Sequence, residues 1–431
     1  MFKRVFFYLF IFSLLAVSYQ LPIVSAQTTS QEERVFLENE LAKLEKQIDQ
    51  YEDTISTYQK QGKSLKGEIN KVNSNIAKIN LQVKAISLEI SKLDLDISKN
   101  NQQIKTTEKD LDSNKKALIN ALQSLYEEDQ VNLVHLLLKN KNFSNFFSGV
   151  QGLIEVQNNL REVIQKIANL RNQLIDQKEE LALRKSDKRN LIVARDTDKK
   201  SLEVVKLGKS DLLNKTKGEE SKFQELLKMT KQTAAQIRSR IFQFLGGGEL
   251  NFGDAYKFAK AAEDATGVRA ALILAVLDRE SAFGQNVGRC GYQEAMHPRR
   301  DIPVFLQLLA ELGINPNSVT VSCANRDGAY GGAMGPAQFI PSTWAMYKDK
   351  ISNLTGNKPP NPWNNIDAFM ATALYLKESG AAGASISNER IAAAKYYAGS
   401  RWRTHLWGYG ERVVAKARQF QEDITELVSS G

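Results

Sequence analysis

The stretch LKGEINKVNSNIAKINLQVKAISLEISKLDLDI, residues 65–97, decides the fold of the first half of this 431-residue chain. Its apolar residues recur on average every 3.5 positions or so, which is the repeat of a left-handed coiled coil. The same spacing begins at Leu37, breaks at Asn100 and resumes at Ile104 and Leu111, so it covers about nine heptads. Lys, Glu, Asp, Gln and Asn fill the positions between. The pattern predicts a long helical rod.

A second helical arm follows after a change of composition. Residues 125–159 are richer in leucine and phenylalanine and contain glycine, which predicts a small apolar lobe of short helices and turns. Residues 160–244 return to charged helical sequence with looser heptads. Two long helices separated by a compact insert predict an antiparallel hairpin over residues 33–244. Parallel self-association into a dimeric rod is the alternative.

The start of the chain has the organisation of a secretory signal peptide. Lys3 and Arg4 precede an apolar run at residues 5–17, and small residues at 24–26 provide a cleavage site. The run is shorter than the roughly 20 apolar residues that span a bilayer. We therefore expect export after removal of residues 1–26, with an uncleaved membrane anchor as the alternative. The mature protein would then be secreted and associated with the cell wall.

Charge and cysteine content narrow the classes of partner and site. The net charge of +9 is mild for this length and suits contact with anionic wall polymers or membrane surfaces. No nucleic-acid-binding motif is present, so nucleic acid is not an expected partner. Export permits a disulfide between Cys290 and Cys323, although two free thiols are the alternative. Two cysteines and three histidines are too few for the usual zinc sites, and we expect neither a metal nor a cofactor.

A glycine-rich stretch, LGGGELNFG at residues 245–253, marks the boundary to a second half of different composition. The alanine-rich apolar segments that follow predict short, closely packed helices over residues 254–425, which is long enough for one hydrophobic core. The fold class predicted for the whole chain is therefore all-α, with a hairpin and lobe followed by a compact helical domain.

Three segments of this second half contain the residues that chemistry on a polysaccharide requires. They are RESAFG at 279–284, DGAYGGAMGPAQFIPSTW at 327–344 and the aromatic-rich AAAKYYAGSRWRTHLWGYGERV at 392–413. A glycosidase needs a protonated carboxyl in apolar surroundings, and Glu280 follows the apolar run ALILAVLDR. Aromatic, amide and hydroxyl groups that could hold sugars are Gln338, Tyr396, Tyr397, Trp402 and Trp407. The alternative makes Glu280 a helix-end charge beside Arg279 and places the aromatic residues in the core.

In their order and spacing, these segments resemble the lytic transglycosylases of the MltB type, within the goose-lysozyme-like group. GAMGPAQFIPS is the most specific part of the resemblance, which spans residues 250–420. It implies a lysozyme-like helical domain with Glu280 as catalytic acid and base. It also implies substrate contacts at Ser281, Gln338, Phe339, Tyr396 and Tyr397. Two positions depart from the family: Tyr397 replaces a frequent asparagine, and Ala329 lies where relatives tend to have serine.

The activity that this resemblance implies is cleavage of the β-1,4 bond between N-acetylmuramic acid and N-acetylglucosamine. The expected product carries a 1,6-anhydro ring, and the expected setting is cell-wall remodelling or division. One alternative is a muramidase that uses water and leaves reducing ends. A second is an inactive wall-binding scaffold that recruits another hydrolase.

The arms also carry a resemblance. ALQSLYEEDQVNLVHLLLKNKNFSNFFSGVQGLIEVQNN, residues 121–159, lies between two coiled-coil arms behind a signal peptide and resembles the regulators of wall hydrolases of the EnvC and PcsB type. Such coils dock on an FtsEX-type ABC transporter and restrain the attached enzyme. The resemblance implies two partners, peptidoglycan and a transporter of that type. Membrane association would come through that partner or through an uncleaved signal.

Overall fold

The computed structural model describes residues 35–37, 39–40, 43–48, 50–51, 64–128, 143–225, 250 and 252–430. Every regular element in these ranges is a helix, and β pairing is limited to two isolated bridges. The all-α prediction is therefore confirmed. None of the described helices is long and apolar enough to cross a membrane. The predicted signal peptide lies outside the described residues.

The described helices fall into an arm and a domain. The arm consists of two long helices, α1 (Leu65–Glu128) and α2 (Phe143–Thr216). Shorter helical pieces precede α1 at 35–37, 39–40, 43–48 and 50–51, and another follows α2 at 220–225. The domain contains α3 (Phe252–Thr266), α4 (Ala270–Ser281), α5 (Tyr292–Ala295), α6 (Ile302–Leu312), α7 (Pro341–Thr355), α8 (Asn365–Glu378), α9 (Ile386–Ala398) and α10 (Glu411–Ser430). Short 3-10 turns occupy Pro316–Ser318 and Gly399–His405, and a π turn occupies Leu406–Gly410.

The two long helices of the arm run antiparallel. Lys178 Nζ lies 2.8 Å from a carboxylate oxygen of Glu108, and Lys188 pairs with Asp94 further along. Residue numbers thus rise along α2 as they fall along α1. The antiparallel orientation within one chain agrees with the predicted hairpin, whereas the heptad packing of side chains stays a prediction.

The predicted lobe at residues 125–159 differs in part from the structure. The sequence indicated short helices with turns, but α1 continues to Glu128 and α2 begins at Phe143. Phenylalanine and asparagine are compatible with a helix interior when neighbouring turns are good helix formers, and here the long helix extends through them. Residues 129–142 lie outside the described residues, so a lobe there stays a prediction.

Helix α4 is the centre of the domain and carries the RESAFG motif at its end. Residues 271–277 have 0% exposure, because the other helices of the domain surround this apolar run. At the end of α4, Ala282 and Phe283 adopt left-handed backbone angles with φ of 49° and 57°. These angles stop the helix within two residues of Glu280 and hold the carboxyl at the edge of the core.

The boundary between arm and domain lies close to the predicted linker. Helix α3 begins at Phe252, inside the stretch predicted as linker, and Phe252 packs on Phe420 with ring centroids 5.5 Å apart. The last helix continues past residue 425, the predicted end of the domain, to Ser430. The helices at both ends of the domain thus extend a few residues beyond 254–425, and the division into domains stays a prediction.

The predicted disulfide is confirmed. Cys290 and Cys323 are bonded, with their Cα atoms 5.1 Å apart. Backbone hydrogen bonds between Cys290 and Val321 lie beside it, at 3.1 and 3.0 Å. Together they join the loop after α4 to the loop that leads into the GAMGPAQF segment.

The arm packs against the domain. One apolar cluster contains Ile86 of α1, Leu191 and Ala194 of α2, and Leu406 and Trp407 of the domain. A buried charged group lies beside it: Lys78 Nζ and Arg390 Nε each lie 2.7 Å from a carboxylate oxygen of Glu411. Arm and domain thus share a small core of their own.

Candidate active site

The RESAFG and GAMGPAQF motifs meet at a point of backbone strain. Among the described residues, four that are not glycine have positive φ, and three of them, Ala282, Phe283 and Gln338, belong to these motifs. Such angles cost free energy for residues with a Cβ atom and concentrate at functional sites. The strain marks this junction as the first place to look for chemistry.

The Glu280 carboxyl lies at this junction in apolar surroundings. Burial raises its pKa to about 7, while a hydrogen bond from Tyr409 and the positive charge of Arg279 act in the opposite direction. A carboxyl with a pKa near neutrality can give up a proton and take one back at physiological pH. The structure therefore places Glu280 in surroundings suited to acid and base chemistry, as the sequence predicted.

Tyr409 is a residue that the sequence reasoning missed. It lies in the π turn before α10, is 5% exposed, and its hydroxyl donates a hydrogen bond to Glu280 Oε1. Burial and the Glu280 carboxylate raise the pKa of Tyr409 well above its ordinary value, so the hydroxyl stays protonated. The only signal in the sequence was its place in the aromatic-rich third segment, because a π turn cannot be read from residue spacing.

Tyr397 forms the exposed side of the site. Its side chain is 41% exposed, and its ring stacks on Tyr409 with centroids 4.5 Å apart. The edge of the His405 ring lies 4.8 Å from it. An aromatic face next to the buried acid is suited to contact with a sugar ring, which is compatible with the predicted substrate contact.

Gln338 lies opposite, in the turn of the GAMGPAQF segment. Its Nε2 donates to the carbonyl oxygens of Gly335 and Val287, at 2.8 and 3.4 Å. Gly335 has a φ of +57°, and a Cβ atom there would lie 2.0 Å from the Pro362 carbonyl oxygen. A side chain at this glycine is therefore excluded, and the turn that presents Gln338 depends on it.

Ser281 is placed differently from the prediction of a substrate contact. The residue is 1% exposed, and its hydroxyl donates to the Pro336 carbonyl oxygen at 2.7 Å. It also accepts from the Gly284 amide at 2.8 Å. The hydroxyl is used inside the protein to join the end of α4 to the GAMGPAQF segment, and direct contact with sugar stays a prediction.

Phe339 also lies in the core, where the sequence predicted the groove. It is 4% exposed and packs on Trp344, Tyr347, Tyr375 and Tyr396 at ring distances of 5.4 to 6.3 Å. A Phe side chain has no polar group to keep it at the surface, and the neighbouring rings enclose it. Its role in this structure is packing beneath the site.

Tyr396 is partly exposed and hydrogen-bonded within the protein. Its hydroxyl donates to the Ala337 carbonyl oxygen at 2.5 Å and lies 3.1 Å from the Thr372 hydroxyl. Burial, together with the Glu280 carboxylate, raises the pKa of Tyr396 well above its ordinary value. The residue thus lies near the acid and ties α9 to the GAMGPAQF segment, and contact with substrate stays a prediction.

The remaining candidates fall outside the site or beneath it. Trp407 is 3% exposed and belongs to the contact between arm and domain, whereas Trp402 is partly exposed with the Arg403 guanidinium 4.7 Å from its ring. Ala329 is 1% exposed, and its amide donates to Asn325 Oδ1 at 3.0 Å. Ala329 is therefore a buried residue of a partly exposed loop.

A second acid does not accompany Glu280 in the described part of the chain. The groups that shift its pKa are apolar burial, Tyr409 and Arg279, and no carboxylate is among them. Asp278 is turned toward Lys416, 3.8 Å away. A retaining glycosidase with a protein nucleophile needs a second carboxyl about 5–5.5 Å away. No group of metal-ligating side chains was found among the described residues.

Comparison with known proteins gives a family match in the second half of the chain. Residues 245–398 match the family model described as the Transglycosylase SLT domain. A curated relative, Membrane-bound lytic murein transglycosylase B of Escherichia coli (strain K12), is 27% identical over 126 residues. That alignment covers 26% of this chain and 32% of the relative, so the chain spans about a third of the relative's length.

Two solved structures share low similarity with the chain. Soluble lytic transglycosylase SltB1 from Pseudomonas aeruginosa has a TM-score of 0.31 and 19% identity, over 44% of this chain and 80% of that one. Lytic transglycosylase Slt35 from Escherichia coli has a TM-score of 0.28 and 16% identity, over 48% of this chain and 91% of that one. These TM-scores are too low to carry an argument about fold or activity.

Proposed function

We propose that this protein is a peptidoglycan lytic transglycosylase in which Glu280 is the only catalytic carboxyl. The observation that carries the proposal is the position of Glu280: the end of a helix whose residues 270–277 are buried, a pKa of about 7, and no second carboxylate acting on it among the described residues. The match of the surrounding residues to the transglycosylase SLT domain supports it.

The mechanism uses one group twice. Protonated Glu280 donates its proton to the oxygen between N-acetylmuramic acid and N-acetylglucosamine, and the bond from C1 of the muramic acid to that oxygen breaks. The acetamido oxygen of the substrate stabilises the positive charge that develops at C1. Glu280, now a carboxylate, removes the proton of the C6 hydroxyl, whose oxygen bonds to C1 and closes the 1,6-anhydro ring. Acid and base roles for one carboxyl are usual in retaining enzymes.

Tyr409 would position the carboxyl during both steps. Its hydroxyl donates to Glu280 Oε1, which leaves the second oxygen of the carboxyl to face the substrate. The exposed ring of Tyr397 would hold a sugar beside it. Neither tyrosine needs to ionise for these roles.

Replacing Glu280 with glutamine tests the proposal. We expect Glu280→Gln to lower the release of anhydro-muropeptides from purified sacculi at least about a hundredfold, since general acid catalysis contributes about 10²–10⁴-fold. Mass spectrometry identifies the product, because an anhydro end lacks one water compared with a reducing end. Asp278→Asn is the matched control, since that acid is turned toward Lys416, and it should retain activity.

The same experiment separates the alternative functions. Products with reducing ends, lost in Glu280→Gln, would make the protein a muramidase that admits water. Absence of any cleavage by the wild type would favour the wall-binding scaffold. Activity of Glu280→Gln close to that of the wild type would refute the assignment of the acid.

The arm supports a further part of the proposal, which is control of the domain. Arg189 of α2 pairs with Asp327, which precedes the GAMGPAQF segment, and Asn190 Nδ2 donates to the Tyr397 hydroxyl at 3.3 Å. One turn of α2 therefore contacts both sides of the site around Glu280. We infer that the arm restrains access of a glycan strand until it moves.

Location and partners follow as part of the same proposal. The signal-like segment at residues 1–26 supports export to the cell wall, where peptidoglycan is the substrate. A coiled-coil arm of the type that docks on an FtsEX-type transporter would link cleavage to wall remodelling or division. Detection of the protein in the wall fraction, and its loss from that fraction when residues 1–26 are deleted, tests export.

A further inference from the structure

Helix α2 presents one line of acidic residues to the domain. Asp176, Asp187 and Asp198 recur about every three helical turns, and Glu179 lies one turn after Asp176, so all four share a face. We call these four residues the acidic stripe. Three basic residues of the same helix, Lys178, Arg184 and Lys188, pair with Glu108, Asp96 and Asp94 of α1, whereas Arg189 pairs with Asp327 of the domain. In these pairs α2 offers the domain four acids and one base.

The first part of the stripe meets a basic group in the loop before α6. Arg299 Nη2 lies 2.6 Å from Asp176 Oδ1, and Arg300 Nη2 lies 3.3 Å from Glu179 Oε1. The His297 Nε2 atom lies 3.7 Å from both carboxylates. Arg299 and Arg300 keep 43% of their side chains exposed, so solvent reaches these pairs.

The rest of the stripe meets basic residues that follow α9. Arg401 pairs with Asp187, and His405 Nε2 lies 3.1 Å from the other oxygen of that carboxyl. Arg412 Nη2 lies 3.7 Å from Asp198 Oδ1. We call His297, Arg299, Arg300, Arg401, His405 and Arg412 the basic face of the domain. The three parts of the basic face meet Asp176, Asp187 and Asp198, which lie about 16 Å apart along α2 because the interval between them is about three helical turns.

The ion pair at the start of the acidic stripe is not what anchors the arm. The anchor is the buried cluster around Ile86, Leu191 and Trp407 with the buried Lys78–Glu411 pair beside it. Asp187 is 5% exposed, so its contacts with Arg401 and His405 belong to the buried part of the interface. The exposed pair Asp176–Arg299, with side-chain exposures of 60% and 43%, contributes little to stability. The charge matching at this end of the basic face therefore calls for another explanation.

The basic face adjoins the candidate active site. The His405 ring lies 4.8 Å from Tyr397, which stacks on Tyr409, the hydrogen-bond donor to Glu280. The middle part of the basic face is therefore next to the acid, and the other two parts extend to either side of it. A strand bound across Glu280 would pass along the whole face.

We propose that the basic face binds the free carboxylates of the peptide stems of peptidoglycan, and that the acidic stripe of α2 occupies it in their place. The inference rests on the proposed function for the identity of the polymer. Arginine is suited to carboxylates because its planar guanidinium can donate two parallel hydrogen bonds to them. The glycan itself is a chain of hydroxyl and acetamido groups, whereas the stems bring carboxylates at intervals along it. Arm and stems then compete for the same cations.

Breaking one ion pair from either side tests the proposal. Asp176→Asn and Arg299→Gln remove the same contact in the full-length chain, each in a Glu280→Gln background so that strands stay intact. The probe is soluble glycan strands freed of phosphate polymers, either with their stems or stripped of them by an amidase. Affinity is measured by anisotropy of labelled strands at fixed salt.

We expect the two variants to move in opposite directions. Asp176→Asn exposes Arg299 and should bind stem-bearing strands several-fold more tightly than the background protein. Arg299→Gln loosens the arm equally but removes a stem contact, so it should bind several-fold more weakly than Asp176→Asn. The difference should vanish on stem-free strands. The pair Asp187→Asn and Arg401→Gln repeats the comparison beside Glu280.

Three results would overturn the proposal. They are equal affinities of the two variants for stem-bearing strands, a difference that persists on stem-free strands, and a difference seen only with an added phosphodiester polymer. Lys178→Gln, which breaks an exposed pair with Glu108 inside the arm, is the control and should leave affinity unchanged. Because binding is measured without cleavage, a failure of the proposed activity would show separately, as sacculi left uncut by the wild type.

Discussion

At the scale of single residues, Glu280 and Tyr409 decide what the site can do. Burial raises the pKa of Glu280 because its apolar surroundings solvate the charge poorly, and the hydroxyl of Tyr409 favours the charged form again. The pKa of about 7 is the balance of these two effects with the charge of Arg279. A general acid must be protonated at the start of the reaction, so this balance limits the active pH range.

The pH dependence of cleavage follows from that balance. We expect kcat/KM to fall as the pH rises through about 7, where Glu280 loses its proton. Tyr409→Phe removes the bond that favours the carboxylate, so the pKa should rise and the fall should move to higher pH. Initial rates on labelled sacculi between pH 5 and about 9 measure it.

The control for this prediction is Tyr375, a partly buried tyrosine that packs on the same hydrophobic core. Tyr375 donates its hydroxyl to the Lys395 carbonyl oxygen at 2.8 Å and not to Glu280, so Tyr375→Phe should leave the pH profile in place. A Tyr409→Phe profile that coincides with the wild type, or that moves to lower pH, would contradict the assigned role of the hydroxyl.

At the scale of elements, the site depends on how the end of α4 is joined to the GAMGPAQF segment. The buried Ser281 hydroxyl bonds the Pro336 carbonyl oxygen and the Gly284 amide, and thereby holds the left-handed residues Ala282 and Phe283 in place. Tyr396 makes a second connection to the same segment through Ala337. The strained backbone persists because these bonds outweigh its cost.

Removal of the Ser281 hydroxyl tests this account. Ser281→Ala leaves two buried backbone groups without that partner, which costs about 1–3 kcal/mol. For a domain of this size each kcal/mol lowers Tm by about 2–4 °C. We expect a lower Tm by calorimetry and a lower kcat, since Glu280 loses its support. Ser318→Ala removes an exposed turn hydroxyl and should change neither; a raised KM with unchanged Tm would instead restore the predicted sugar contact.

At the scale of the whole molecule, the arm and the domain form one unit in which α2 contacts both sides of the site. Arg189 reaches Asp327 on one side, and Asn190 reaches Tyr397 on the other. The buried anchor near Trp407 includes Leu191, the residue that follows Asn190, so the contact and the anchor lie on the same turn of α2. Movement of this turn as a unit would expose the site.

Weakening the contacts that Arg189 and Asn190 of α2 make with the domain should raise activity. The double change Arg189→Ala and Asn190→Ala removes both bonds to the site, and we expect several-fold faster release of muropeptides from sacculi at unchanged Tm. Lys188→Ala is the matched control, because this neighbour pairs with Asp94 inside the arm. If the double variant and the control cleave at the same rate, the arm does not restrain the site.

Part of this organisation could be predicted from the sequence because it depends on local patterns. The 3.5-residue repeat predicted the long helices, and the apolar run before Glu280 predicted a buried helix with an acid at its end. The two cysteines in loop-like sequence predicted the disulfide that the structure contains. Ser281 and Phe339 were predicted to contact sugar because of the motif they belong to, and burial gave them other roles.

By itself, the sequence determined the helical elements and the position of Glu280 within them, since each depends on residues close together along the chain. Only the tertiary structure decided that Tyr409 holds the acid, that Ser281 ties two segments, and that α2 lies against the basic face. Those contacts join residues more than 50 positions apart, such as Tyr409 with Glu280 and Asp187 with Arg401. Spacing along the chain carries no information about such pairs, because packing brings them together.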